Sequence, residues 1–208
     1  MSVPGDWGSR LDRLESLDEI RQLAAKYALA LDMRDADAWV GLFPEDVKVG
    51  GGASGREALR AWFDQTMRRT FTGTAHHIGN HIIEFRDADH AEGVVYSKNE
   101  HETGDQWIIM QMMYFDRYER IGGRWLFRRR LPLYWYATDL NAPPVGPRKM
   151  RWPGEAPYDG GYHSLFPSWD RFWARAGAPE GPVAAPAPIE GFLAQMREGA
   201  PAPAVRVR

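Results

Sequence analysis

The 208-residue chain contains no cysteine. That absence removes disulfides, thiolate metal sites and cysteine nucleophiles together, leaving histidine, carboxylate and hydroxyl groups as the chemistry on offer. The chain also lacks an excess of either charge: 26 Lys and Arg stand against 28 Asp and Glu, a net charge of −2. Nothing in that balance recruits nucleic acid or an anionic membrane surface. The one basic cluster, Arg128-Arg129-Arg130, would be split between two faces by strand alternation. No run of apolar residues approaches the length that spans a bilayer, and MSVPGDWGSRLDRLESLDEI has no signal-peptide core, so a cytoplasmic location is expected. Aromatic residues, by contrast, are plentiful: nine Trp, nine Phe and eight Tyr, joined by eight Met. Such side chains usually fill cores and interfaces, and a surplus also suits the wall of a pocket for flat, apolar ligands.

In chain order, residues 1–15 read as a polar lead-in, and Ser16-Leu17-Asp18-Glu19 as a capping box that opens the first helix. Leu17, Ile20, Leu23, Ala24, Tyr27, Ala28 and Leu31 then form one helical stripe. Asp35 caps a short second helix carrying Trp39, Leu42 and Phe43, and residues 46–49 suggest a brief strand. The loop GGGASG lacks the Lys and Ser/Thr of a phosphate-binding loop. A third amphipathic helix over 56–69 buries Leu59, Trp62, Phe63 and Met67. From Ala75 the period changes to two, predicting strands at 75–85, 91–102, 106–120 and 124–136, with turns at Gly104-Asp105 and Gly122-Gly123. Three helices followed by an antiparallel meander predict an α+β fold, the helices packed on one face of a curved sheet. Residues 1–140 make this domain, and 141–208 a Pro- and aromatic-rich extension expected to pack on it or on a neighbouring subunit. Within the extension Ser168 opens a short helix to Arg175, 178–191 is a Pro/Ala-rich linker, and 189–197 has the pattern of a last helix.

Two features point to chemistry. Asp32 stands in the last turn of the first helix, where the negative end of the helix dipole disfavours a carboxylate by about 0.3–1 kcal/mol. A solvated carboxylate before a turn is the plain explanation; a buried partner is the other. The strand T74-AHHIGNHIIEF carries three of the six histidines, and alternation puts His76, Ile78, Asn80, Ile82 and Glu84 on one face and His77, Gly79, His81, Ile83 and Phe85 on the other. A single histidine in such a place is more often a hydrogen-bonded core residue than a catalyst, but several beside a spare carboxylate favour a site. A metal site would need a bulge, because His76, His77 and His81 do not share a face under strict alternation.

The segments YALALDMRD, TAHHIGNHIIEF and FDRYERIGGRWLFRRR resemble the SnoaL-like branch of the NTF2-like superfamily, over roughly residues 14–136. The resemblance implies a cone of helices on a strongly curved antiparallel sheet and, in many members, cofactor-free elimination by an Asp/His pair. Such members include dehydratases of scytalone and of bile acids, a hexachlorocyclohexane dehydrochlorinase and lyases that release formaldehyde from lignin dimers. By the same resemblance Asp32 and His76 are the pair. Tyr27 matches a tyrosine of the bile-acid enzyme, where the dehydrochlorinase has lysine; Arg130 matches an arginine near the leaving group; and His101 corresponds to a second histidine on the following strand. Alternation makes Arg129 the competing inward residue. Trp39, Trp62, Phe63, Tyr96, Asn99, Met110, Met112 and Tyr114 are the candidate substrate wall.

The expectation is therefore a cofactor-independent lyase with no metal, acting on a hydroxylated aromatic or polycyclic substrate such as a lignin-derived diaryl propanediol or a hydroxysteroid. It would remove water, with or without a small aldehyde such as formaldehyde. The family resemblance also implies a homodimer or homotrimer. The alternatives are a non-catalytic binding or assembly subunit of the ring-hydroxylating dioxygenase type, and an isomerase.

Overall fold

The computed structural model describes residues 6–176. Helix α1 (Trp7–Asp32) is followed by α2 (Ala36–Val40), α3 (Arg56–Thr70) and strands β1 (Gly73–Phe85), β2 (His90–Thr103), β3 (Gln106–Ile121) and β4 (Arg124–Asp139). The strands form one antiparallel sheet in chain order. Gly104, Gly122 and Gly123 adopt positive φ in the two expected turns. No helix of the described residues is long and apolar enough to cross a membrane.

Helix α1 begins nine residues before the expected capping box. Asp6 is its N-cap, accepting from the Gly8 backbone N–H at 3.1 Å. Ser16 instead lies inside the helix, 2% exposed, where its hydroxyl accepts from Arg120 Nη2 at 3.1 Å. A serine within a helix is tolerated when its hydroxyl finds such a partner, and that partner comes from 104 residues away. The expected strand at 46–49 is only an isolated bridge, Lys48 to Ser54, closing the glycine loop.

The end of α1 places the site. Asp35 N–H bonds to Ala30 O at 2.8 Å and Arg34 N–H to Leu31 O at 3.1 Å, which is the paired hydrogen bonding of a Schellman turn. Its left-handed position, usually glycine, is held by Arg34 at φ +59°. That conformation costs an L-residue about 1–2 kcal/mol.

Two of the three register shifts in the sheet set which of the candidate side chains face the helices. In β1, Ile78 pairs with Ser97 but His81 with Val95, so one extra residue interrupts the alternation. His76, Ile78, His81, Ile83 and Phe85 consequently share the helix-facing side, and Ile82 and Glu84 turn outward. In β4, Arg129 pairs with Arg117 but Phe127 with Tyr118, and this second bulge turns Arg130 inward and Arg129 outward.

Ile20, Leu23, Leu31, Phe63, Tyr118, Trp125 and Phe127 pack between the helices and the sheet. A second cluster joins Ala24, Val95, Ile108, Met110, Met112, Tyr114 and Ala137 to Met150. Met150 arrives from beyond β4: Ala137 N–H bonds to Lys149 O and Arg151 N–H to Ala137 O, at 3.1 and 2.8 Å. Met150 and Tyr158 exchange two further bonds of 3.0 Å. A Cβ on Gly160 would lie 2.5 Å from Trp135 O and 2.9 Å from Met150 Cγ, so the returning chain passes at glycine distance. One compact unit runs through Phe166, and a second begins at Pro167.

In the second unit α4 (Pro167–Ala176) starts at Pro167 rather than being capped by Ser168, since proline suits a first helical position. Trp169 and Phe172 each pack on Trp173. The segment expected as a linker and the helix expected at 189–197 lie outside the described residues.

Candidate active site

Asp32 has the partner its position demands. Its Oδ1 lies 2.7 Å from His76 Nδ1, its Oδ2 accepts the His76 backbone N–H at 2.8 Å, and Thr74 Oγ1 donates to Oδ1 at 2.9 Å. The His76 and Asp32 side chains are 6% and 13% exposed. Burial works against the carboxylate's charge, but the bonds from His76 and Thr74 outweigh it and hold Asp32 below the usual aspartate range. Because an ionised carboxylate only accepts, Nδ1 of His76 carries the proton and Nε2 is left as the basic nitrogen.

His101 on β2 presents its ring edge-to-face to His76 at 5.7 Å. Phe71 at 4.7 Å and Trp152 at 5.8 Å enclose it. Its Nδ1 is buried with no hydrogen-bond partner. Burial is the main cause that pushes His101 down to about 4, so it is a neutral imidazole at ordinary pH.

Arg130 and Tyr27 form a second polar centre. The Arg130 guanidinium makes two bonds to Asp116, 2.9 and 2.7 Å, with both side chains buried. Its central carbon lies 4.3, 4.1 and 4.3 Å from the ring centres of Tyr27, Tyr114 and Phe127, a cage of cation–π contacts. Burial works against the arginine's charge, but Asp116 more than offsets it and raises the group further. Burial likewise pushes the Tyr27 phenol up. Tyr118 donates to Asp116 at 2.8 Å and meets His81 Nε2 at 3.0 Å. Burial lowers His81 to about 4. The β1 bulge thus puts His76 and His81 on one side of the sheet, yet His76 bonds to Asp32 while His81 meets the Tyr118 hydroxyl that bonds to Asp116. Among the described residues no cluster of His, Asp and Glu could hold a metal ion.

Of the expected substrate wall, Met110, Met112, Tyr114 and Asn99 are buried on the helix-facing side of the sheet. Asn99 is fixed by Ser97 Oγ at 2.5 Å and by Met112 Sδ at 2.7 Å. Trp39 and Phe63 are core, and Trp62 stacks on Trp39 at 5.9 Å while 46% exposed. Tyr96 is a correction. It stands on the opposite face, against Tyr162 at 6.2 Å, because it alternates with the inward Val95 and Ser97. That outer face also carries a cleft of about 380 Å³ floored by Ile82, Val94, Phe115 and Leu131, and neither Asp32, His76 nor His101 lines it.

Four residues of this arrangement escaped the sequence reading as site residues: Arg34, Thr74, Asp116 and Trp152. Thr74 opens the histidine strand two residues from His76, and that spacing was a usable signal. The other three depend on contacts across the fold.

Residues 12–131 match the SnoaL-like domain. The chain belongs to that family. Solved structures similar to this SnoaL-like protein include a Novosphingobium aromaticivorans protein provisionally assigned as a scytalone dehydratase, 26% identical with a TM-score of 0.57, the match covering 70% of this chain and 97% of that one. LinA is 27% identical with a TM-score of 0.60, covering 67% and 99%. Hexachlorocyclohexane dehydrochlorinase LinA-type3 of Novosphingobium barchaimii LL02 is 25% identical with a TM-score of 0.59, covering 66% and 99%. No curated protein sequence matches the chain. The SnoaL-like, NTF2-like fold is therefore shared with proteins named as dehydratases and dehydrochlorinases, and about a third of this chain lies outside each match.

Proposed function

We propose that this protein is a cofactor-independent lyase that eliminates water from a hydroxylated aromatic or polycyclic substrate with the Asp32–His76 pair. The observation that supports this reading is the 2.7 Å contact between His76 Nδ1 and a buried Asp32 that is held ionised by three donors. Asp32 orients the ring and stabilises the imidazolium, as an orienting carboxylate does in other acid–base sites. His76 Nε2 takes a proton from the substrate, the C–O bond breaks as the double bond forms, and the proton leaves with the departing oxygen as water. His101, neutral and with an unpartnered ring nitrogen, offers a hydrogen bond to the substrate or leaving oxygen. Phe71 and Trp152 beside it favour a flat ring.

Where the substrate is a phenolic benzylic alcohol bearing a hydroxymethyl group, loss of water gives a quinone methide. Removal of the hydroxymethyl O–H proton then breaks the C–C bond, releases formaldehyde and restores the phenol ring. The names of the similar structures, a dehydratase and dehydrochlorinases, support the elimination class. Tyr27, a neutral phenol, and Arg130, paired with Asp116, serve in this reading as polar groups of the substrate wall, with Arg130 Nη1 the donor left over.

The test is a mass-spectrometric screen of the purified protein against hydroxysteroids and lignin-type diaryl diols. Loss of 18 mass units, or of water plus formaldehyde, is the expected result. No turnover in either set would favour the binding- or assembly-subunit reading.

A further inference from the structure

The carboxylate of Asp32 is held by a chain of donors that starts at Arg34. Arg34 Nη1 donates to Leu31 O at 2.8 Å and to Thr74 Oγ1 at 2.7 Å. A guanidinium can only donate, so the Thr74 oxygen is occupied as an acceptor and its own proton is sent to Asp32 Oδ1, 2.9 Å away. That oxygen already faces the Nδ1–H of His76. The direction of every proton in the chain is thereby fixed from the arginine outward.

The backbone supplies the second observation. Arg34 occupies the left-handed position of the Schellman turn, φ +59°, where glycine would sit without strain. Outliers of this kind persist where the surroundings require the side chain. A C-terminal helix cap alone does not require it, because the turn's own N–H groups already satisfy Leu31 and Ala30.

We infer that Arg34 is a positioning residue of the acid–base pair, acting through Thr74 to fix the orientation and proton affinity of Asp32 and His76. This rests on the lyase reading for its catalytic consequence, but not for its geometry. The groups facing the pair are Asp32 from α1, Arg34 from the turn after it, Thr74 and His76 from β1 and His101 from β2, with the uncharged rings of Phe71 and Trp152 beyond. Among them Arg34 is the fixed positive charge. Its loss favours a protonated pair and frees the Thr74 hydroxyl to turn away, and both effects move the pair's protonation to higher pH.

The experiment compares full-length wild type with Arg34→Gly, Arg34→Lys and Thr74→Val, using His76→Gln to assign the low-field proton resonance of His76 Nδ1–H. Arg34→Gly should unfold at the same temperature as wild type or higher, since glycine relieves the turn. Yet its Nδ1–H resonance should shift upfield or exchange away, and the acid limb of the rate profile should move up by about 0.5 pH unit or more. Thr74→Val should reproduce these changes, and Arg34→Lys should restore part of them. An unchanged resonance and profile in Arg34→Gly and Thr74→Val would overturn the inference. Should no substrate be turned over at all, the lyase reading fails while the resonance still decides the role of Arg34. Should Arg34→Gly fail to fold, the glycine argument is refuted outright.

Discussion

At residue scale the two buried histidines of the site carry opposite duties. His76 is bonded to a carboxylate, whereas His101 is held neutral chiefly by burial, with its affinity lowered from 6.5 to about 4. The consequence for stability has a definite sign. Between pH 6.5 and 4 the unfolded chain protonates His101 and the folded chain does not, so stability falls as pH drops through that window. A shift of this size corresponds to roughly 3 kcal/mol over the full interval. Asp32 acts in a separate window: its lowered affinity contributes stability that is present above about pH 4 and lost only below it. His101→Gln should therefore flatten the pH dependence of urea unfolding between pH 7 and 4.5 by about 2–3 kcal/mol. An equally steep loss in the variant would show that His101 is not held neutral by the fold. Asp32 and a strand histidine could be picked out because a carboxylate at a helix end and a histidine in an apolar strand are each locally out of place, but only the family resemblance chose His76 among the three. The sequence could not supply Arg34 or Asp116, whose roles exist only once residues 40 and 14 positions away respectively reach them.

Among the elements, the bulge in β1 and the one at Arg128 in β4 decide the site more than any single side chain does. Alternation alone put His76 and His81 on opposite faces and made Arg129 the inward arginine; the bulges reverse both outcomes. A one-residue slip turns every later side chain over, so strand existence was legible from the period while strand facing was not. The start of α1 failed for a related reason, since Ser16 and Glu19 satisfy a local capping pattern that the tertiary partner Arg120 overrides. Deleting Asn80 removes the extra residue and leaves Ile78 and His81 on the same face of a regular strand. Deleting Gly79 and Asn80 together puts them on opposite faces, so the segment must expose either His76 or the apolar half of the strand. We expect the single deletion to keep the His76 Nδ1–H resonance, and the double deletion to lose it together with at least about 2 kcal/mol of stability, the order of effect seen when buried side chains are displaced. A double deletion that keeps both would show that the residue count between Ile78 and His81 does not set the facing.

For the whole molecule, the chain after β4 belongs to the site-bearing unit as far as Phe166. It lays Met150 against Ala137 and sets Trp152 beside His101 and Phe71, beyond the end of the family match at residue 131. Met150 is 1% exposed; Met150→Ala should cost about 2–5 kcal/mol and, by loosening Trp152, weaken substrate binding more than it slows turnover. Chemical unfolding and steady-state kinetics of that variant check both parts. Unchanged stability would mean that the extension does not complete the core. The order of helices and strands gave away the α+β class, whereas this packing was hidden because Pro- and Gly-rich sequence announces no period.

Whether Asp32 and His76 act as one acid–base unit is decided by kcat/KM of Asp32→Asn on whichever substrate the screen identifies. Asparagine preserves the size of the side chain but removes the charge that orients and stabilises the imidazolium. With the fold intact by circular dichroism, kcat/KM should fall about 10²–10⁴-fold, a loss matched by His76→Gln and not deepened in proportion by combining the two. Turnover within about threefold of wild type, which is under 1 kcal/mol of transition-state stabilisation, would show that the two do not act as one unit.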